Sequence, residues 1–254
     1  MLEHIKNYYE NSDEDGRLFR DNAHKVEYLT TIRYFDRLFK PKSKILDACT
    51  GTGKYALYLA DKGHAVTACD LVEHNINILK SKPEADKLAH ISVCNVMDLS
   101  QFADSSFDVV LCMGALYHIR ENEIRRQVIS ECTRICKQDG IIALAYITKI
   151  GAILANIDAD LSNMDDLIKV LDDTDETTYF FCAYPSEIDE TAKSCGLKKL
   201  YNISTDGITY AVNDKLNSAS DENFQKYMDY HYLTCEDESI IGASMHGLWI
   251  GRKI

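Results

Sequence analysis

Proline is scarce in this chain of 254 residues, with three in all, and there is a single tryptophan. So few prolines exclude a Pro-rich linker or an extended polyproline spacer. Positive charge is also short: Lys and Arg total 28 against 40 Asp and Glu, giving a formal net charge of −12. A surface of that sign repels phosphate polymers and anionic lipid, so neither a nucleic-acid nor a membrane partner is expected. Long apolar runs are missing as well. The apolar stretches are strand-sized, far below the roughly 20 residues that a membrane helix needs. Met1-Leu2-Glu3-His4-Ile5-Lys6 is mixed polar, unlike a secretory leader. Nine cysteines at irregular spacing do not read as a disulfide framework. They are expected to be thiols of a cytoplasmic protein. Cys132 and Cys136 lie one helical turn apart, yet no second pair of ligands sits near them in sequence, so no metal site is expected.

What is present suits a globular chain, 46% hydrophobic and 27% charged, and long enough for a sizeable core. Residues 21–39 place Val26, Leu29, Ile32, Phe35, Leu38 and Phe39 at three- and four-residue steps, which predicts an amphipathic helix closed by Pro41. Short apolar runs follow at 45–49, 65–69, 91–94, 107–112 and 141–146. Helical patterns over 55–60, 74–80 and 123–136 separate them. Near-continuous apolar strands alternating with helices predict an α/β fold with a parallel sheet covered on both faces. Residues 150–172 read as an acidic helix, Pro185-Ser186 opens another that ends at Cys195-Gly196, and 197–203 and 246–252 are the last strands. Between those strands, 205–240 is a long polar insertion rich in Asp, Glu and Tyr. Its Phe224, Tyr227, Met228, Tyr230, Tyr232 and Leu233 predict either a lid over a pocket or a plain packing face.

The informative segment is Asp47-Ala48-Cys49-Thr50-Gly51-Thr52-Gly53-Lys54, between a strand and a helix. Glycines there let a ligand approach the backbone, and the helix N-terminus behind them favours polar or anionic groups. A nucleotide P-loop needs Gly at position 48 and Ser or Thr at position 55. Ala48 and Tyr55 deny it the turn and the magnesium ligand. A dinucleotide G-x-G-x-x-G is met at two of three places in either frame, failing at Cys49 and Lys54 or at Ala56. Ala is sometimes accepted in the last place, so a nicotinamide-dependent oxidoreductase stays open as a third reading.

Ile45-Leu46-Asp47-Ala48-Cys49-Thr50-Gly51-Thr52-Gly53 resembles the first motif of class I S-adenosylmethionine (SAM)-dependent methyltransferases, an acidic residue followed by G-x-G-x-G. Asp70 ends the next strand, where that family grips the ribose hydroxyls, with Leu71 beside it. Asn95 and Val96 follow the third strand, where the family recognises adenine; Asn95 stands in place of the usual Asp, so the adenine amino group would meet its amide oxygen. The stretch from Phe107 through Met113 to Tyr117-His118 resembles the fourth-strand motif, and Lys137-Gln138-Asp139-Gly140 the turn before the fifth strand. The resemblance covers residues 40–150 and is nearest to small-molecule methyltransferases of the ubiquinone and menaquinone biosynthesis type.

The resemblance implies a doubly wound, Rossmann-like sheet of seven strands in the order 3-2-1-4-5-7-6, the last antiparallel. One methyltransferase domain would fill residues 1–254, with a helical cap at 1–40, a SAM-binding core at 41–150 and the lid insertion at 205–240. The cofactor would be SAM, leaving as S-adenosylhomocysteine, and its contacts would come from Asp47, Ala48, Cys49, Gly51, Gly53, Asp70, Leu71, Asn95, Val96, Met113 and Tyr9. Tyr8 and Tyr9 would fold over the cofactor, or divide into one core and one surface ring. Tyr117 and His118 fall near the methyl group, so His118 is a candidate general base or substrate contact, or a histidine packed beside the next helix. Arg17, Arg20, His24 and Arg33 form a polar group in the cap. The fourth strand lacks the Asn-Pro-Pro-Tyr type of ending used on nucleobase or amide nitrogens, which leaves a small-molecule acceptor attacked by direct displacement. A non-catalytic SAM sensor or partner module is the alternative.

Overall fold

The computed structural model describes residues 2–10, 12–157, 160–171 and 180–254. Helix α1 (Leu2–Glu10) and α2 (Asn22–Leu38) precede the sheet. Asp21 starts α2 by accepting the His24 backbone N–H at 3.0 Å, satisfying one of the donors a helix start leaves open. The expected alternation follows as β1 (Lys44–Asp47), α3 (Lys54–Asp61), β2 (Ala65–Asp70), α4 (Glu73–Ser81), β3 (His90–Val93), β4 (Phe107–Cys112), α5 (Asn122–Ile135) and β5 (Cys136–Thr148). Strand β5 starts earlier than Ile141 because Cys136 already pairs with Phe107 before the register shifts.

The second half is α6 (Lys149–Ala155), α7 (Met164–Ile168), β6 (Cys182–Ala183), α8 (Pro185–Ser194), β7 (Leu197–Ser204), α9 (Thr209–Asn217), α10 (Asp221–Thr234), α11 (Glu238–Ile241) and β8 (His246–Lys253). Three expectations change here. The acidic helix over 150–172 is two shorter pieces. Asn156 ends α6, its side chain donating back to the Ala152 carbonyl at 2.8 Å while its own carbonyl accepts from Asn163 at 2.6 Å. The end of that stretch, from residue 172, lies outside the described residues, as do 158 and 159. An eighth strand, β6, is too short to be visible as a pattern and pairs with Ile147 and Thr148 at the end of β5. The insertion is helical and α9 and α10 pack on α2. Met228 is buried, Leu233 is 86% exposed, and the Arg33 guanidinium lies 4.3 Å over the Tyr232 ring.

The sheet runs β3-β2-β1-β4-β5-β8-β7, with β8 antiparallel to both neighbours, the doubly wound order expected. Alternate residues feed two cores. Leu46, Val110, Ile142 and Trp249 face one side with Val128 and Ile129 of α5. Ile45, Val109, Ala143 and Ile250 face the other with Phe35 of α2 and Tyr55 and Leu59 of α3. The reversal of β8 has a functional consequence. Its first residue, His246, pairs with Ile147 near the end of β5. It therefore lies at the same sheet edge as the carboxyl ends of the parallel strands, the edge where open α/β sheets take ligands. No helix among the described residues is long and apolar enough to cross a membrane.

Gly53 is the tightest point of the β1–α3 turn. It caps α3 at φ 89°, and a Cβ there would lie 2.3 Å from Cδ1 of Leu79, a fully buried residue of α4. Gly51, at φ 54°, has open space with Glu14 no nearer than 3.7 Å. Gly53→Ala is expected to destabilise by about 2–4 kcal/mol, the positive-φ cost plus overpacking. Gly51→Ala is expected to cost only about 1–2 kcal/mol. Denaturant titration of both variants checks the difference; equal losses would contradict it.

Candidate functional site

The turn after β1 closes over a carboxylate. Asp47 lies beneath it, fully buried, accepting the Thr50 hydroxyl at 2.9 Å, with its other oxygen unpartnered among the described residues. Burial, reinforced by the charge of Asp70 and opposed by the Thr50 hydroxyl, pushes the Asp47 carboxyl up to about 7. At the end of β2, Asp70 is held by two backbone donors, Gly51 N–H on one oxygen and Val72 N–H on the other, each at 2.8 Å. The Asn75 side-chain amide adds a longer bond, 3.5 Å, to the oxygen that Val72 holds, which leaves the Gly51-bound oxygen with a single donor. Burial raises this carboxyl above its ordinary range, while the two N–H groups and Asn75 pull the other way. Asn75 lies alongside, its amide oxygen buried and unpartnered among the described residues.

Most of the sequence-predicted residues meet here. Ala48, Cys49, Gly51, Asp70, Leu71 and Asn95 line one cavity, together with Val96, Met113, Tyr117, His118 and Tyr9 from α1. Asp47 and Gly53 are not on its wall: the first supports the turn from below and the second sets its backbone. Asn95 differs in part from its expected use, its amide oxygen accepting the Met97 N–H at 3.0 Å and keeping one lone pair for a ligand. His118 also differs. Its Nε2 lies 2.9 Å from the Tyr9 hydroxyl, so that nitrogen is engaged by the N-terminal segment and is not open to an acceptor as a base. Tyr117 donates to the Met113 carbonyl at 3.4 Å, and burial raises its phenol, which stays protonated.

A second cavity of about 370 Å³ adjoins the first and shares Tyr9, Glu14, Arg17, Tyr55, Met113 and Tyr117 with it. Arg20 and His24 of the predicted polar group line it, whereas Arg33 does not. From the 205–240 insertion only Thr205 reaches it, so the cover over both cavities comes from the N-terminal segment. Arg17 organises one wall: it makes two bonds to Glu27, at 2.7 and 3.2 Å, and a third to Glu14 at 3.3 Å. Burial alone would raise the Glu27 carboxyl, but Arg17 and His246 hold it at about 2. Glu14, Glu27, Phe180 and His246 had not been singled out from sequence. Their signal is spatial, since none belongs to a local motif.

A carboxylate fixed by backbone N–H groups, a glycine turn open to the backbone and an unpartnered amide oxygen form a cradle that suits a ribose diol, with an aromatic chamber beside it. Residues 46–144 match the methyltransferase domain family. Over that span the chain is similar to methyltransferase domains, and SAM is the cofactor that the cradle fits. The ubiquinone biosynthesis O-methyltransferase of Coxiella burnetii (strain Dugway 5J108-111) is 25% identical over 172 residues, covering 66% of this chain and 70% of its own. The tRNA 5-carboxymethoxyuridine methyltransferase of Escherichia coli (strain K12) is 26% identical over 120 residues, 46% of this chain and 44% of that one. Among solved structures, a SAM-dependent methyltransferase of Methanosarcina mazei superposes with a TM-score of 0.59 at 19% identity, covering 87% of this chain and 97% of that one. The chain spans about two fifths of the length of the curated relatives it first matches. The dinucleotide reading gives way to this family match.

Two predictions follow from the electrostatics. Asp70→Ala is expected to weaken S-adenosylhomocysteine binding at least tenfold, about 1.4 kcal/mol, read by calorimetry. Wild-type affinity should fall as acid protonates Asp70, at a pH above the ordinary carboxylate range. The Glu27 carboxyl is depressed to about 2 from an ordinary 4.5, so it stabilises the fold above that ordinary value and loses the contribution as pH falls toward 2. Glu27→Gln leaves Arg17 without its two-bond partner and is expected to cost about 3 kcal/mol at pH 7. Because the variant lacks the titration, its unfolding midpoint should fall less than that of the wild type between neutral and acid pH.

Proposed function

We propose that the protein is a methyltransferase that moves the methyl group of SAM to a small-molecule nucleophile by direct displacement. The observation that carries this reading is the pair of adjoining cavities. One holds a carboxylate shaped for a diol, the other is walled by rings, and Tyr9, Met113 and Tyr117 stand where they meet. When bound, SAM supplies a methyl group made electrophilic by its sulfonium.

The chain's own work is alignment and exclusion of water. Asp70 fixes the ribose, and the Ala48–Gly51 backbone and Val96 line the space beside it. Tyr9 is drawn over the cleft by its bond to His118 and stacks edge-on with Tyr8 at 5.1 Å. Met113 and Tyr117 form the floor between donor and acceptor. The roles of His118 and Tyr9 are thus to close the site. An acidic surface and an acceptor chamber roofed by α1 favour a small acceptor over a tRNA, although one relative's name specifies tRNA.

The test is incubation with methyl-labelled SAM and a size-fractionated cell extract. Label is expected in the low-mass fraction. Label in RNA or protein would overturn the substrate class, and tight SAM binding with no labelled fraction would favour the sensor reading.

A further inference from the structure

Two imidazoles on the acceptor chamber wall, His24 and His246, have an Nε2 with no hydrogen-bond partner among the described residues, and His246 is the one held between two carboxylates. His246 Nδ1 lies 2.7 Å from Asp206 Oδ2. The other oxygen of Asp206 accepts the His246 backbone N–H at 3.1 Å and the Ser244 hydroxyl. Ser244 is itself braced by the Gly207 N–H at 3.2 Å, at a glycine held at φ 61°. A carboxylate fixed at both oxygens makes Nδ1 the proton-bearing donor and sets the plane of the ring. Nε2 is then the nitrogen left over. It has no hydrogen-bond partner among the described residues, and 26% of the side chain is accessible because it faces the chamber. His118 differs in that its Nε2 is engaged by Tyr9; His24 is held at Nδ1 by Asp21 alone, at 2.8 Å, with no second carboxylate within 4.0 Å among the described residues, whereas Glu27 also lies 3.8 Å from His246 Nδ1.

We infer that His246 Nε2, oriented by Asp206, takes the proton from the acceptor's nucleophile, and that this nucleophile is a hydroxyl on an aromatic ring. The inference rests on the methyltransferase reading of the same site. As the hydroxyl reacts, its O–H bond breaks and the proton goes to Nε2. An oxygen lone pair forms the new bond to the methyl carbon. The carbon–sulfur electron pair stays on sulfur, which leaves as the thioether of S-adenosylhomocysteine.

The surroundings select that class. Glu27, 3.8 Å from Nδ1, and Asp206 stabilise the imidazolium that forms, and Arg17 opposes them. Burial alone would lower the His246 pKa, but the two carboxylates raise it above 6.5. That brings it toward a phenol, whose ordinary value is about 10, and proton transfer is most effective between groups of similar strength. Glu14, Arg20 and His24 are the other ionisable groups on the chamber wall besides its tyrosines, and β5 contributes only the apolar Ala145 and Ile147. An ammonium acceptor would meet the guanidiniums of Arg17 and Arg20, whereas a hydroxyl is neutral. Tyr8, Tyr117 and Phe180, with ring centroids 5.4–5.9 Å apart, suit a planar ring.

The experiment uses 4-nitrophenol, whose ionised form is coloured, added to the full chain saturated with S-adenosylhomocysteine. Binding to the wild type is expected to move the probe's ionisation midpoint down by about one pH unit, a tenfold gain in ionised probe. His246→Gln should abolish that shift while S-adenosylhomocysteine affinity stays within about twofold, and Asp206→Asn should reduce it. A shift that survives His246→Gln overturns the inference, as does a probe that does not bind while S-adenosylhomocysteine does. Failure of S-adenosylhomocysteine itself to bind would instead overturn the methyltransferase reading. Should the variants not fold, histidine NMR of the wild type decides: 4-nitrophenol should move the His246 Nε2 resonance, and no movement refutes the assignment.

Discussion

Arg17 binds two acids at once, Glu14 in its own segment and Glu27 on α2, and much of the site depends on this arrangement. A guanidinium taken out of water requires such partners, because its charge cannot be neutralised at any ordinary pH. Once Arg17 is placed, the chain before it is drawn across the sheet edge. Tyr9 then reaches His118, and the cleft acquires a roof. Glu27 extends the same network to His246 on β8, so cap, helix and sheet share one set of buried charges.

The reversed direction of β8 gives this network its reach. A parallel strand at that position would present its carboxyl end, with Arg252 and Lys253, to the active edge. Running antiparallel, it presents His246 instead, next to Ile147 and under Asp206. The same reversal buries Trp249 in the opposite core, where its indole N–H donates to Asp189 at 2.9 Å. One choice of strand direction thus serves both packing and chemistry.

The site divides labour between backbone and side chains. At the cofactor end, fixed peptide N–H groups hold Asp70, so its lone pairs need no reorganisation to meet a ligand. At the acceptor end, rings and a charge network define the space. The insertion between β7 and β8 takes no part in roofing it. Met228 is buried and the Tyr232 ring lies under the Arg33 guanidinium of α2, while Tyr230 is exposed.

The α/β architecture and the glycine turn were legible because their causes are local, whereas the strand order came from the family resemblance. Apolar runs of strand length, glycines where the backbone must take positive φ, and an acid at a strand end are all readable within a few residues. Asp70 and Gly51 illustrate this, since the turn that joins them is specified by its own sequence. The acceptor side was not legible. Tyr9 and His118 are 109 residues apart, and Asp206 and His246 are 40 apart, in segments with no shared pattern. His118 read as a base or substrate contact or as a histidine packed beside the next helix, and only the fold shows its Nε2 tied to Tyr9. Sequence alone determined which cofactor cradle the strands would build, because backbone geometry is a local property. The tertiary structure decided which histidine faces the acceptor, because that depends on which buried charges reach each ring.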